Sequence, residues 1–194
     1  MKIDTVYLDM DGVLADFVGS SIRALGHAPA EVMPRMLEHK GDYDGMYSAL
    51  DMDEDEFWER LDALEGGTVP GSLVWEKMDP YPWRDMILKL CREVAPTWIL
   101  TSPSRNAGSS YGKIVWLQTW LGARFRDYIL SPRKWHVARP GTLLVDDSDR
   151  NVDKWRRKGG EAILFPRIWN SRHDLADSCL GVLSEDLAAI RDRK

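Results

Sequence analysis

The chain has 194 residues, a net charge of −5, 44% apolar residues and 29% charged residues. That length suits one domain, or a core with a modest insertion, and the well-mixed composition is that of a globular, soluble protein. No run approaches the ~20 apolar residues a membrane helix needs, and no basic stripe offers a track for a nucleic-acid polymer.

Met1-Lys2-Ile3-Asp4 leads straight into a strand without a signal-peptide pattern. Cys91 and Cys179 lie far apart, outside any metal-type spacing, and are expected to be two reduced, buried thiols. The expectation from both is a cytoplasmic protein.

Val6-Tyr7-Leu8 is a short apolar run that ends at Asp9-Met10-Asp11-Gly12, which predicts a buried strand meeting a turn. A helix over 17–25 follows, with Asp16 in place to cap it. Residues 27–82 then lose the alternation. Within them 51–64 reads as a helix with Phe57, Trp58, Leu61 and Leu64 on one side, and Gly66-Gly67, Pro70-Gly71 and Pro80-Tyr81-Pro82 mark loops.

The alternation then returns, with helices over 83–94, 111–121, 151–158 and 183–191. Strands are predicted over 97–100, 128–130, 142–145 and 162–165. Alternating strands and helices imply a mainly parallel sheet covered on both faces, in which ligands bind beyond the carboxyl ends of the strands.

Polar residues follow one predicted strand after another. Asp9 and Asp11 follow the first, Thr101-Ser102-Pro103-Ser104 the second, Ser131-Pro132-Arg133-Lys134 the third and Asp146-Asp147 the fourth. Chemistry explains their company. A carboxylate can attack a phosphomonoester to form an aspartyl-phosphate, and Mg²⁺ held by oxygen ligands screens the two negative charges. Hydroxyls and backbone N–H groups hold phosphoryl oxygens, a lysine neutralises the acidic cluster, and a second acid protonates the leaving alkoxide and then activates water. An EF-hand reading of the first acid pair fails because the later ligands of that loop are missing.

These four groups resemble, in order, the four motifs of the haloacid dehalogenase-like (HAD) phosphohydrolases, from Asp9 to Asp147. The resemblance implies a three-layer Rossmann-like α/β core, residues 1–16 and 83–194, with a small helical cap inserted at 17–82. It implies Asp9 as nucleophile and Asp11 as general acid/base. Thr101, helped by Ser102, would hold the phosphate, and Lys134 would be the motif lysine. Mg²⁺ would lie among Asp9, the Asp11 carbonyl, Asp146 and Asp147.

Within that superfamily the run from Asp9 to Phe17 is similar to the signature of 5′(3′)-deoxyribonucleotidases. Thr101-Ser102-Pro103-Ser104, Lys113-Ile114-Val115-Trp116 and Leu143-Leu144-Val145-Asp146-Asp147 are similar to later parts of that family. Two departures stand out: Ser148 replaces the family's usual basic residue after the acid pair, and 27–82 matches poorly.

The family implies that Phe17 packs on a nucleobase. An aromatic residue of the insertion, Trp75 or Trp58, is expected to pack against the base as well, because the insertion is the segment able to cover the leaving group. Tyr43 and Tyr47 are further aromatic residues of the insertion, whereas Trp98, Trp116 and Trp120 are expected in packing. The four histidines show no metal spacing.

The expected activity is therefore a phosphoric monoester hydrolase acting on (deoxy)nucleoside monophosphates, its cap closing over the site to exclude water. A phosphatase for another small ester, such as a sugar phosphate, is the alternative, and a catalytically silent binding protein on the same fold is a third. No nucleic-acid polymer and no membrane is expected as a partner. The oligomeric state is open, a homodimer included.

Overall fold

The computed structural model describes residues 2–38 and 44–192, so His39 and Tyr43 lie outside the described residues. Five strands form one sheet: β1 (Thr5–Leu8), β2 (Thr97–Thr101), β3 (Tyr128–Leu130), β4 (Thr142–Asp146) and β5 (Glu161–Leu164). Their order is β3-β2-β1-β4-β5, and every neighbouring pair is parallel. The chain starts at the middle strand, builds outward to β3, then crosses to the far side of β1 as β4. The carboxyl ends of β1 and β4 therefore flank the point where the strand order reverses, where such sheets bind ligands.

The described residues carry nine α-helices: α1 (Phe17–Ala24), α2 (Pro29–Glu38), α3 (Asp44–Ala49), α4 (Glu54–Asp62), α5 (Leu73–Lys77), α6 (Arg84–Val94), α7 (Ala107–Leu121), α8 (Asp149–Arg157) and α9 (Cys179–Arg191). Among them, none is long and apolar enough to cross a membrane. The chain divides into two compact units, one of Met1–Ala15, Tyr81–Ser102 and Asp127–Lys194, the other of Asp16–Pro80 and Pro103–Arg126.

The first unit holds the whole sheet. All five residues of β4 are buried, as its uninterrupted apolar run requires. Leu100, Leu144 and Trp155 form a buried cluster joined by Tyr7, Ile129 and Ala162, and Tyr7 meets Trp155 edge to face at 5.3 Å. Arg156 Nη2 donates to the Ala162 carbonyl of the edge strand β5 at 2.8 Å, and Arg172 Nη1 to its Leu164 carbonyl at 3.0 Å. Cys91 and Cys179 are both buried free thiols. Burial pushes Cys91 up to about 12, so it is inert as a nucleophile.

The second unit takes in α7, which the sequence reading leaves in the core. Two glycines one turn apart explain the grouping. A Cβ on Gly108 would stand 2.2 Å from the Pro70 carbonyl oxygen, and one on Gly112 2.5 Å from Trp75 Cβ. Only hydrogen at these positions lets α7 lie so close to 70–76. Trp116 is fully buried and donates from Nε1 to Met78 O at 2.8 Å. Trp98 and Trp120, expected in packing, are instead about two-fifths exposed (38% and 41%). Trp98 sits near the start of β2, before its run of buried residues begins, and Trp120 occupies the last turn of α7.

Candidate active site

The register of the sheet assembles the site, which lies within the first unit. Leu8 is level with Val145 on one side and with Ile99 on the other. One further ladder bond, Asp9 N to Val145 O at 2.9 Å, sets Asp9 beside Asp146. Thr101 closes β2 fully buried, and its carbonyl accepts from Ser131 N at 2.9 Å.

The loop after β1 turns back on itself. Leu14 N and Ala15 N both donate to Met10 O (2.8 and 2.9 Å), and Gly12 N donates to Ala15 O at 2.8 Å. Met10, Val13 and Leu14 are fully buried and pin the turn. Gly12 has φ +74°, and a Cβ there would lie 1.9 Å from Asp147 Oδ2. The glycine of Asp-Met-Asp-Gly thus serves a left-handed turn and a close approach to the second acid pair.

Lys134 opens a 3₁₀ turn, Lys134–Val137, and is only 2% exposed. Its Nζ lies 2.6 Å from Asp9 Oδ1 and 2.7 Å from Asp146 Oδ2. On the same turn Trp135 carries Lys154 Nζ of α8 over its ring at 4.0 Å. Asp146 Oδ1 accepts from Ser148 N at 2.9 Å and Asn151 Nδ2 at 3.1 Å. Ser148, where the resembled family has a basic residue, caps α8 through its side chain. Asp147 Oδ2 accepts from Trp169 Nε1 at 2.7 Å.

Asp9, Asp146 and Asp147 are all buried and can each offer an oxygen within 4.8 Å of the others. One ammonium, Lys134, faces two of these three carboxylates. Burial pushes the Asp9 carboxyl well above the usual carboxylate range, the Asp146 charge adds to this, and Lys134 offsets part of it. Burial pulls Lys134 down, but Asp146 and Asp9 more than restore it, so it stays an ammonium. The three carboxylates thus crowd their oxygens together in a dry setting. A divalent cation with oxygen ligands fits that donor set. Asp11 is not one of the clustered carboxylates.

Ser102 Oγ donates to Ser131 O at 3.0 Å, so its proton is turned to the neighbouring loop rather than toward a phosphate. Phe17 and Trp75 belong to the second unit. They are 5% and 3% exposed and stack on each other, with centroids 4.8 Å apart and planes at 10°. Trp58 lies near-parallel to both at 6.0 and 6.3 Å and is half-buried. Lys113 Nζ stands 4.6 Å from the Trp75 ring centroid. Asp16 caps α1 by accepting from Gly19 N at 2.9 Å.

Sequence reasoning misses Asn151, Trp169 and Asn170. The signal was available for the last two, which follow β5 as the other site residues follow β1 to β4. Asn170 Nδ2 donates to Asp147 O at 2.8 Å and to Phe165 O at 2.7 Å.

No protein-family model and no curated protein sequence matches this chain. Solved structures do. A conserved haloacid dehalogenase-like protein of unknown function from Agrobacterium tumefaciens superimposes with a TM-score of 0.62 at 17% identity, covering 98% of this chain and 100% of that one. A provisionally named phosphoglycolate phosphatase from Lactobacillus delbrueckii subsp. bulgaricus gives 0.57 at 14% identity, covering 98% and 99%. A provisionally named HAD hydrolase from Bacillus subtilis, bound to magnesium, gives 0.52 at 15% identity, covering 84% and 86%. The α/β architecture of this chain, with its five-stranded parallel sheet, is thus the Rossmann-like fold of the HAD hydrolases.

Proposed function

We propose that this chain is a Mg²⁺-dependent phosphomonoesterase working through an aspartyl-phosphate. The observation that carries the reading is the buried cluster of Asp9, Asp146 and Asp147 at the carboxyl ends of β1 and β4, with Lys134 bonded to the first two. Asp9 Oδ1 is engaged by Lys134 and by Met10 N at 2.6 Å, which leaves Oδ2 to attack phosphorus. The new O–P bond forms as the ester P–O bond breaks, and Asp11 gives its proton to the departing alkoxide. In the second half Asp11 takes a proton from water, the water oxygen bonds to phosphorus, and Asp9 leaves as a carboxylate with inorganic phosphate. Lys134 holds Asp9 in place and lowers the cost of bringing two anions together. Asp9, Asp146, Asp147 and the Asp11 carbonyl would hold Mg²⁺, whose charge screens the attack when it is bound.

The expected result is hydrolysis of p-nitrophenyl phosphate in Mg²⁺ that falls to background after exhaustive chelation and returns on adding the metal. Full activity in the stripped protein would overturn the reading, and a protein inert under all conditions would favour a silent binding role.

For the substrate we propose (deoxy)nucleoside monophosphates, on the aromatic content of the second unit. A phosphatase for another small ester fits as well, since Phe17 and Trp75 already cover each other's faces and the Lactobacillus neighbour is named for phosphoglycolate. Trp58 is the member of the stack with accessible surface. Base–aromatic stacking is worth ~1–3 kcal/mol. Trp58→Ala is therefore expected to raise KM for nucleoside monophosphates about tenfold or more while sparing p-nitrophenyl phosphate. Equal losses on both, or a wild-type preference for sugar phosphates over every nucleotide in a substrate panel, would leave the phosphatase standing and remove the nucleotidase.

A further inference from the structure

We infer that Trp169 is a positioning residue of the metal site, acting through its indole N–H on the carboxylate of Asp147. The inference rests on the phosphatase reading for the presence of a cation. The two acids of the pair are held by different chemistry. Asp146 bonds an ammonium, Lys134 Nζ at 2.7 Å, which cancels its charge. Asp147 bonds a neutral donor, Trp169 Nε1, at 2.7 Å, with both residues at most 3% exposed. A short N–H bond to a carboxylate fixes its rotor. Asp147 is thus kept oriented beside Asp9.

The indole is itself held from several sides. The Cβ that Gly12 lacks would lie 3.0 Å from Trp169 Cζ2 and 1.9 Å from Asp147 Oδ2, so ring and carboxylate both abut the loop after β1. The Arg167 guanidinium lies 4.6 Å from the Trp169 ring centroid, 4.4 Å from that of Tyr81 and 5.4 Å from that of Trp83, and donates to the Tyr81 hydroxyl. Tyr81 N in turn donates to Leu14 O at 2.9 Å, and Trp83 Nε1 to Val13 O at 3.0 Å. One cation–aromatic cluster therefore ties the nucleophile's loop to the orientation of Asp147. Groups that orient ligands in this way typically matter by 10–100-fold in metal affinity.

The test is Mn²⁺ binding to the full chain, read by electron paramagnetic resonance, with Mg²⁺ titration calorimetry beside it. Trp169→Phe keeps the ring and removes the N–H. It is expected to weaken Mn²⁺ about 10–100-fold while the metal-free thermal midpoint stays close to wild type. Unchanged affinity in a folded Trp169→Phe protein overturns the inference. If that variant does not fold, Arg167→Met decides. It retains the indole N–H but frees the ring, so weaker Mn²⁺ binding supports the positioning role and wild-type binding overturns it. A wild-type protein that binds neither ion removes the metal reading and this inference together. Wild-type binding that Trp169→Phe leaves untouched removes this inference alone.

Discussion

An Asp9→Asn protein is expected to fold and to lose nearly all turnover, because an amide cannot form the acyl-phosphate. It is also expected to be at least as stable as the wild type when metal-free at neutral pH. Asp9 is buried with its carboxyl pushed well up, first by desolvation and then by the charge of Asp146. A carboxyl whose folded pKa is raised binds its proton more tightly in the native state. Its contribution is present below the unfolded value near 4 and is lost as pH rises through the raised folded value. The metal-free wild type should therefore show a component of stability that falls as pH climbs from about 4, and Mg²⁺ should restore it. Asp9→Asn should lack that component. Urea titrations across pH, with and without Mg²⁺, check it beside the turnover assay. Wild-type rates in a verified Asp9→Asn sample would remove Asp9 as nucleophile.

Lys134→Met is expected to be the most destabilising change of a single charge in the site. Its ammonium is nearly fully buried between Asp9 and Asp146. Removing one partner of a buried pair costs ~3–5 kcal/mol, because the other charges stay behind unpaired. A domain stable by ~5–15 kcal/mol can lose much of its margin this way. A lysine with a raised folded pKa contributes fully below its unfolded value near 10.4 and loses that contribution only as pH rises through the folded one. At neutral pH the whole effect is present. Acidification should relieve the variant in part by protonating the carboxylates left behind, and Mg²⁺ should relieve it at neutral pH. A denaturation midpoint equal to wild type across pH 5–8 would show that the ammonium is not what holds the cluster together.

The strands were legible because each is a short apolar run that stops at polar residues. The rim was legible because Asp9, Thr101, Lys134 and Asp146 each come at or after a strand end. Register was not legible: nothing local says that Leu8 stands level with both Val145 and Ile99. Helix α2 was hidden by Pro34 inside it, and α5 by its five-residue length, too short for a period to emerge. The place of α7 depends on what Gly108 and Gly112 lie against, a tertiary fact that no propensity carries. Ser102 has the residue type of a phosphate donor, yet its proton goes to Ser131 O. Trp169 follows β5 and so shares the placement of the other site residues, but its partner is a tertiary fact that its 2.7 Å bond to Asp147 shows.

The two arginines that bond to carbonyls of β5 bear on how the protein behaves when crowded. An uncovered outer strand is a template for pairing with another chain. Here Arg156 and Arg172 occupy the Ala162 and Leu164 carbonyls, and the opposite margin, β3, is only three residues long. Any copy that tried to add a strand beside β5 would first have to displace two guanidinium groups, one of them paired with Asp186 at 2.6 Å. Substitution of the pair is therefore expected to raise the tendency to fibre-like growth, which aggregation measurements at high protein concentration check.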